Sequence, residues 1–430
     1  MPDPATPETH QAAVLHDQAL PEGIPFGKYR LIRKIAVGGM AEVYLALSFG
    51  EFGFQRQEVV KALLPNLAKN SEFVDMFIQE AILAAEFRHP NLVQVYNLGK
   101  VGELYFLAME FVDGVDLMRL VRRCRQLRRA IPLDFVLNTV CQAADGLAAV
   151  HAARSPEGRP LDIVHRDVNP QNLMVSFTGQ AKLVDFGVAR TALVRAKAEQ
   201  ALMGKGPYMA PEQWAGEAVD KRADIFALGT VLYELTVGRR LFRRTSPEKT
   251  KKAILSGDVP RPSDVRAGYP KPLEAAVLKS LALDPEDRFS DAREMRRALE
   301  IVQNKMGGVL HPDDVALWLT DIFSGLDRNE LWPRLDLTAP GQLSEAQEAL
   351  RRTLWNLPAF SEQDPPEQQE HIGSRKLYDP ENARENGSRI EPKKQKTIVR
   401  KKTSPWLAVL FLIVGAAVGA LATVGWFVYH

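Results

Sequence analysis

The sequence predicts an α+β chain in two unequal halves, a small strand-rich half and then a larger helical one, followed by a polar linker and one apolar C-terminal helix. Three observations lead there. Residues 29–112 alternate apolar and polar side chains around Gly38-Gly39 and Gly102, interrupted by a single helical stripe. Beyond residue 115 the apolar spacing is mainly helical, in stretches parted by glycine- and proline-rich loops. Residues 406–429 carry no charge, whereas 356–404 hold few bulky apolar side chains. Composition agrees with a folded protein: of 430 residues 46% are apolar and 25% charged, with 29 Gly and 28 Pro, which excludes collagen, a wholly disordered chain and a disulfide miniprotein. A net charge of +2 gives no global field for gripping nucleic acid, which is not an expected partner. Cys124 and Cys141 stand apart with no metal or redox spacing, as suits a reducing compartment.

Taken in order, residues 1–28 read as a disordered tail: over 1–25 Asp3, Glu8, Asp17 and Glu22 appear without Lys or Arg, and no basic start or continuous apolar stretch marks a secretory signal. Residues 29–46 and 57–64 read as strands, the first run folding back at Gly38-Gly39. The helix expected over 73–87 gathers Phe73, Phe77, Ile78, Ala81 and Ala85 on one stripe, and 90–112 returns to strands that turn at Gly102. Helices are expected over 134–151, 220–237, 271–283 and 290–303. A helical appendage, 304–355, follows the main domain of 29–303. Its first helix, 313–323, aligns Val315, Trp318, Leu319, Ile322 and Phe323, and 343–355 offers a second. Residues 356–404 read as a disordered linker reaching about 40 Å root-mean-square. At about 1.5 Å per residue the helix of 405–429 crosses a hydrocarbon core of about 30 Å. Lys393, Lys394, Lys396, Arg400, Lys401 and Lys402 precede it, so the large domain is expected on the cytoplasmic side of the inner membrane, tethered by a single pass in contact with lipid. Gly415 and Gly419 form a G-x-x-x-G pair through which two copies could associate.

The chemistry-bearing residues lie in the two halves. The hairpin tip Ile35, Ala36, Val37, Gly38, Gly39, Met40, Ala41, Glu42, Val43 is built of small residues that let backbone N–H groups approach phosphates. Lys61 follows on the next strand, and Glu80 on the helix after it is available as an ion-pair partner. Then come H-R-D-V-N-P-Q-N at 165–172, D-F-G at 185–187 and A-P-E at 210–212. Phosphoryl transfer needs a hydroxyl placed by a carboxylate, and metal ions held against phosphates. Asp167 can accept the hydroxyl proton, and Asn172 and Asp185 offer oxygen to Mg²⁺.

In that order and at those separations, residues 29 to about 303 resemble a bacterial eukaryotic-type (Hanks-type) serine/threonine protein kinase. The resemblance implies a two-lobed fold with a β-rich N-lobe, a helical C-lobe and ATP between them. It makes 35–43 the glycine-rich loop, Lys61 the strand lysine and Glu80 its helix partner. Met109 becomes the gatekeeper, and Glu110 and Val112 become hinge residues facing adenine. Asp167 is then the catalytic base, Asn172 and Asp185 are the Mg²⁺ ligands, Asp224 braces the catalytic loop and Arg288 pairs with Glu212. The function implied is ATP-dependent transfer of the γ-phosphate to hydroxyls of protein substrates, with a membrane-anchored pseudokinase scaffold as the alternative.

Departures from the family pattern are Ala36 and Ala41 for two of its glycines, Asn169 for the catalytic-loop lysine, and Lys205 for the P+1 threonine. The last two substitutions suggest an exchange, with the Lys205 ammonium serving near Asp167 while Asn169 supplies a neutral hydrogen bond. Between Phe186 and Pro211 only Thr191 and Tyr208 carry hydroxyls. Two arginine clusters, Arg119–Arg122–Arg123–Arg125–Arg128–Arg129 and Arg239–Arg240–Arg243–Arg244, read either as solvated faces or as docking sites for acidic substrates or anionic lipid.

Overall fold

The computed structural model describes residues 23–155, 157–185 and 206–326. The strand-rich half is one antiparallel sheet of six strands: β1 (Ile24–Phe26), β2 (Tyr29–Val37), β3 (Ala41–Phe49), β4 (Gln55–Leu63), β5 (Val95–Val101) and β6 (Leu104–Glu110), in the order β1-β2-β3-β4-β6-β5. Alternation puts different residues on its two faces. On one, Val59, Leu63, Leu107 and Met109 pack against Val74, Phe77 and Ala81 of α1 (Ser71–Glu86), whose first turn is capped by Asn70 accepting from the Glu72 amide. On the other, Phe26, Leu31, Tyr44, Val60 and Phe106 form a second cluster, with Phe26 and Phe106 edge to face at 5.2 Å.

The fold begins earlier than residue 29. Ile24–Phe26 pairs with β2, Ile24 opposite Leu31 and Phe26 opposite Tyr29, and both apolar side chains are buried. Three residues are too few for an alternation signal, which is why this strand was legible only as tail.

The helical half is built around α5 (Arg222–Val237), buried on nearly every face as a central helix must be. The other helices are α2 (Leu117–Gln126), α3 (Leu133–His151), α4 (Pro211–Ala215), α6 (Pro247–Leu255), α7 (Pro262–Val265), α8 (Lys271–Ser280), α9 (Ala292–Lys305) and α10 (Pro312–Ile322). Α small sheet, β7 (Gly114–Asp116), β8 (Leu173–Ser176) and β9 (Ala181–Leu183), also lies here. Its strands went unread because they are short and sit among loops, yet they position the site: β8 starts directly after Asn172 and β9 ends just before Asp185. Gly114 is required for this packing, since a Cβ there would stand 2.2 Å from the Val175 carbonyl oxygen.

Helix α10 is packed into the same core. Val315, Leu319 and Ile322 are buried, Trp318 lies 4.5 Å from the Phe135 ring, and Asn138 Nδ2 donates to the Leu310 carbonyl at 2.8 Å. Among the described residues no helix is long and apolar enough to cross a membrane; the expected helix at 343–355, the linker and the apolar run with its Gly415/Gly419 pair lie outside them.

Arg288 ties the C-lobe together. Its two terminal nitrogens donate to the two oxygens of Glu212 at 2.8 Å each, and the guanidinium also reaches the carbonyls of Ala282, Arg222 and Leu283. Both side chains are almost fully buried. Arg288→Ala leaves the Glu212 carboxylate buried and alone, and is expected to cost about 3–5 kcal/mol in chemical denaturation. A loss under about 1 kcal/mol, the range of an exposed pair, would show the bridge to be dispensable.

Candidate active site

The site is organised from below by Asp224, near the start of α5. Its Oδ2 accepts from the His165 amide at 2.8 Å and from His151 Nε2 at 2.8 Å, while Oδ1 accepts from the Arg166 amide at 2.7 Å. Burial alone would raise the Asp224 pKa, but the His151 hydrogen bond and the neighbouring amides outweigh it and hold the carboxyl below the usual range. Arg166 takes φ of 63°, a strained conformation for a residue with a side chain. Two adjacent amides caught by one carboxylate fix the backbone leading into that strain, and the Asp167 amide, donating to His165 Nδ1 at 3.3 Å, fixes it on the far side. The buried His165 ring is pushed below its ordinary pKa by desolvation, so it is neutral near pH 7.

Asp167 follows directly and is buried. Asn172 Nδ2 donates to its Oδ2 at 2.8 Å and Asn169 Nδ2 to its Oδ1 at 3.0 Å; both amides also reach the Asp167 carbonyl, at 2.9 and 2.8 Å. The carboxylate is thus oriented by two neutral donors. Asn169 makes the hydrogen bond expected of it, whereas Lys205 lies outside the described residues. The Val184 amide donates to the Asn172 carbonyl at 2.9 Å and brings the end of β9 against the catalytic loop. Asp185 comes next, at φ of 58°.

Lys61 joins the lobes. It stands on β4, opposite Val43 on one side and Leu107 on the other, and its Nζ lies 3.2 Å from Glu80 Oε1 and 2.9 Å from Asp185 Oδ1. Burial opposes its charge, but the Asp185 and Glu80 carboxylates outweigh that and hold the ammonium above its usual range.

The tip of the β2–β3 hairpin is exposed at Ala36, Val37, Gly38 and Gly39, and closed by the Gly38 amide donating to the Ala41 carbonyl at 2.8 Å. Neither glycine takes positive φ; a Cβ at Gly38 would meet nothing nearer than the Ala41 oxygen at 3.4 Å, and at Gly39 nothing within 4 Å. The turn itself does not demand glycine, so what the pair provides is bare backbone that a ligand can approach. Ala36 and Ala41 sit in extended strand without positive φ, and alanine there carries no backbone penalty.

Glu42 departs from its expected place. Its carboxylate is fully buried, accepting from Lys34 Nζ at 2.7 Å and the Tyr44 hydroxyl at 2.6 Å. Alternation places it with Tyr44 on the sheet face away from α1, so only its backbone remains for a ligand. Ile35 is buried in the cluster beneath α1 and Val43 packs against it. The Glu110 carboxylate is held by Lys182 at 3.0 Å and by the Gln94 amide at 3.2 Å, leaving the 110–112 segment to act through its main chain; Val112 is buried. The Tyr208 hydroxyl donates to Glu234 Oε2 at 2.8 Å in the interior, with a pKa raised first by burial. It is a structural tyrosine.

His151 was not legible as part of the site. It lies on α3, in no motif, and only tertiary structure carries it to Asp224.

The family model described as the protein kinase domain matches residues 29–305, more than half of the chain. Tyrosine-protein kinase MasK of Myxococcus xanthus is 43% identical over 278 residues, covering 64% of this chain and 43% of that protein. Serine/threonine-protein kinase PknB of Mycobacterium tuberculosis is 36% identical over 286 residues, covering 64% and 43%, and PrkC of Bacillus subtilis 33% over 271 residues, covering 63% and 39%. The chain spans less than half the length of these curated relatives. A solved double mutant of the Mycobacterium tuberculosis PknI kinase domain is 29% identical with a TM-score of 0.50, covering 67% of this chain and 100% of that one. A two-lobed fold with an aspartate-anchored catalytic loop, a lysine bridging the lobes and a matching sequence across both together place the chain in the protein kinase domain family, among the eukaryotic-type kinases of bacteria.

Proposed function

We propose that this chain is a membrane-tethered protein kinase that transfers the γ-phosphate of ATP to serine or threonine hydroxyls of protein substrates. The observation that carries the reading is the continuous chain of contacts from Glu80 through Lys61 to Asp185, set beside an Asp167 whose two carboxylate oxygens are each fixed by an amide. A scaffold has no chemical need for all of these side chains in bonding contact.

In this reading the substrate hydroxyl approaches Asp167. As its oxygen attacks phosphorus and the β–γ bridging bond breaks, the hydroxyl proton passes to the Asp167 carboxylate. Asn169 and Asn172 keep that carboxylate aimed by hydrogen bonding. Lys61, oriented by Glu80, directs its ammonium at phosphate oxygens, and the bare backbone of the hairpin tip offers amides to them. The main chain of 110 and 112 holds the adenine edge. Asn172 is set with its Nδ2 as donor to Asp167, which leaves its Oδ1 as a hard oxygen ligand, and the Asp185 carboxylate is a second; this donor set suits Mg²⁺. Magnesium bound there supplies charge neutralisation on the phosphates. Serine or threonine specificity is supported by the names of PknB and PrkC, and the name of MasK favours tyrosine as the second reading.

Incubating the full chain in lipid nanodiscs with Mg²⁺ and labelled ATP, followed by phosphoamino-acid analysis, is expected to give phosphoserine or phosphothreonine; phosphotyrosine alone would install the second reading. Asp167→Asn should lower turnover about 10²- to 10⁴-fold while nucleotide binding is retained. Undiminished turnover in that variant removes Asp167 from its role, and ATP binding without transfer by the unaltered chain leaves the scaffold reading in its place. Alkaline carbonate washing is expected to leave the full chain in the membrane fraction and to release a chain ending before residue 405; release of both would remove the tether.

A further inference from the structure

The two arginine clusters lie far apart in the chain and meet in the fold. Arg125 Nη2 reaches the carbonyl of Gly238 at the end of α5, at 3.5 Å, and Arg240 lies against the Met118 sulfur. Between α2 and the segment after α5 lies a shallow groove whose lining includes Met118, Val121, Arg125, Pro170, Glu234 and Arg239. Pro170 belongs to the catalytic loop, and its carbonyl accepts from the Met118 amide at 3.2 Å. Pro170 stands three positions after Asp167, at most about 11 Å along the chain, which keeps the groove near the base.

The arginines divide by what they touch. Arg123 donates to the Ile322 carbonyl at 3.0 Å and Arg129 pairs with Asp321, so these two hold the end of α10. Arg119 pairs with Asp116 at 3.3 Å and Arg240 with Glu234 at 2.6 Å, which neutralises the carboxylates at the groove's edge. Arg244 turns onto the carbonyls of Leu241 and Arg243. Arg122, Arg125, Arg239 and Arg243 are exposed and, among the described residues, have no carboxylate within ion-pair distance. A solvated helix face accounts for arginines spread along one convex surface. It does not account for cations from two separate elements converging on a concave surface whose own acids are already matched.

We propose that this groove docks an acidic stretch of the protein substrate, close in sequence to the hydroxyl that receives the phosphate. The proposal rests on the kinase reading and names the substrate class for that site. Guanidinium forks bind carboxylates bidentately, and Arg125 and Arg239, the two unmatched cations that line the groove, are relieved of mutual repulsion when an anionic segment arrives. An extended chain advances about 3.3 Å per residue, so the acidic positions fall about two to four residues from the acceptor.

The test compares two serine peptides on the full chain, one with Glu at two to four positions on each side of the acceptor and one with Ala there. The expected result is a kcat/KM about tenfold or more higher for the acidic peptide, carried by KM and shrinking as salt rises from about 0.05 to 0.3 M. In the double variant Arg125→Glu with Arg239→Glu the ratio between the peptides should fall to one or below. Equal kcat/KM for both peptides on the unaltered chain overturns the docking site and leaves the kinase reading standing. If no peptide is phosphorylated at all, the kinase reading fails, and fluorescence anisotropy with the acidic peptide carrying Ala at the acceptor decides the groove separately. Binding that the double variant loses upholds the docking site; absence of binding overturns it. Adhesion to phosphatidylserine vesicles that the double variant loses, with no peptide preference, assigns the surface to lipid and overturns the proposal.

Discussion

One buried carboxylate carries the geometry of the catalytic loop. Asp224 takes the amides of His165 and Arg166 and the ring of His151 at once, and everything that follows it in the loop inherits that placement. An unpaired charge at this depth would be strongly unfavourable, so the energetic cost of moving any of the three donors is high. The strained Arg166 backbone is tolerated because it is held from both ends. Asp167, one residue further on, therefore presents its carboxylate from a fixed support, and Asn169 and Asn172 only refine the aim.

The second organising contact is electrostatic and crosses the cleft. Lys61 comes from the sheet, Glu80 from α1 and Asp185 from the segment after β9, so three elements contribute to one charge cluster. Its surroundings reflect a division of labour between the sheet faces. The face toward α1 leads Lys61 to the cleft, while the opposite face spends its charged residues on a closed structural pair, Lys34 with Glu42, capped by Tyr44. Lysines on β2 and β4 thus serve stability and chemistry respectively, according to the side of the pleat each occupies.

Much of this was legible in the sequence, for identifiable reasons. Long runs with a clear period gave β2 to β6, α1, α3 and α5 within a few residues, because one buried face imposes its period on the chain. Motif spacing singled out Lys61, Glu80, Asp167, Asn172 and Asp185, and the structure brings these together. The strands β1 and β7 to β9, three or four residues each, were missed because too few positions exist for a period to show. Glu42 was grouped with the phosphate-facing tip because proximity in sequence cannot tell which side of a strand a residue takes once the register shifts, as it does between Lys34 and Ala36. His151 was invisible because its partner lies on another helix, and the arginine clusters looked like two surface runs until the fold set Arg125 of one beside Arg239 and Arg240 of the other.

The double attachment of Lys61 has a practical corollary for anyone seeking an inert form of this protein. Exchanging that lysine for a neutral residue removes the group proposed to meet phosphate, and in the same stroke it takes away the ammonium shared by the Glu80 and Asp185 carboxylates. Such a variant loses the contact between the lobes as well as the proposed one to phosphate. A cellular phenotype obtained with it would mix loss of turnover with loss of whatever surface the joined lobes present. Silencing the base, which hangs from its own aspartate-anchored loop, leaves that cross-cleft link in place and gives the cleaner control.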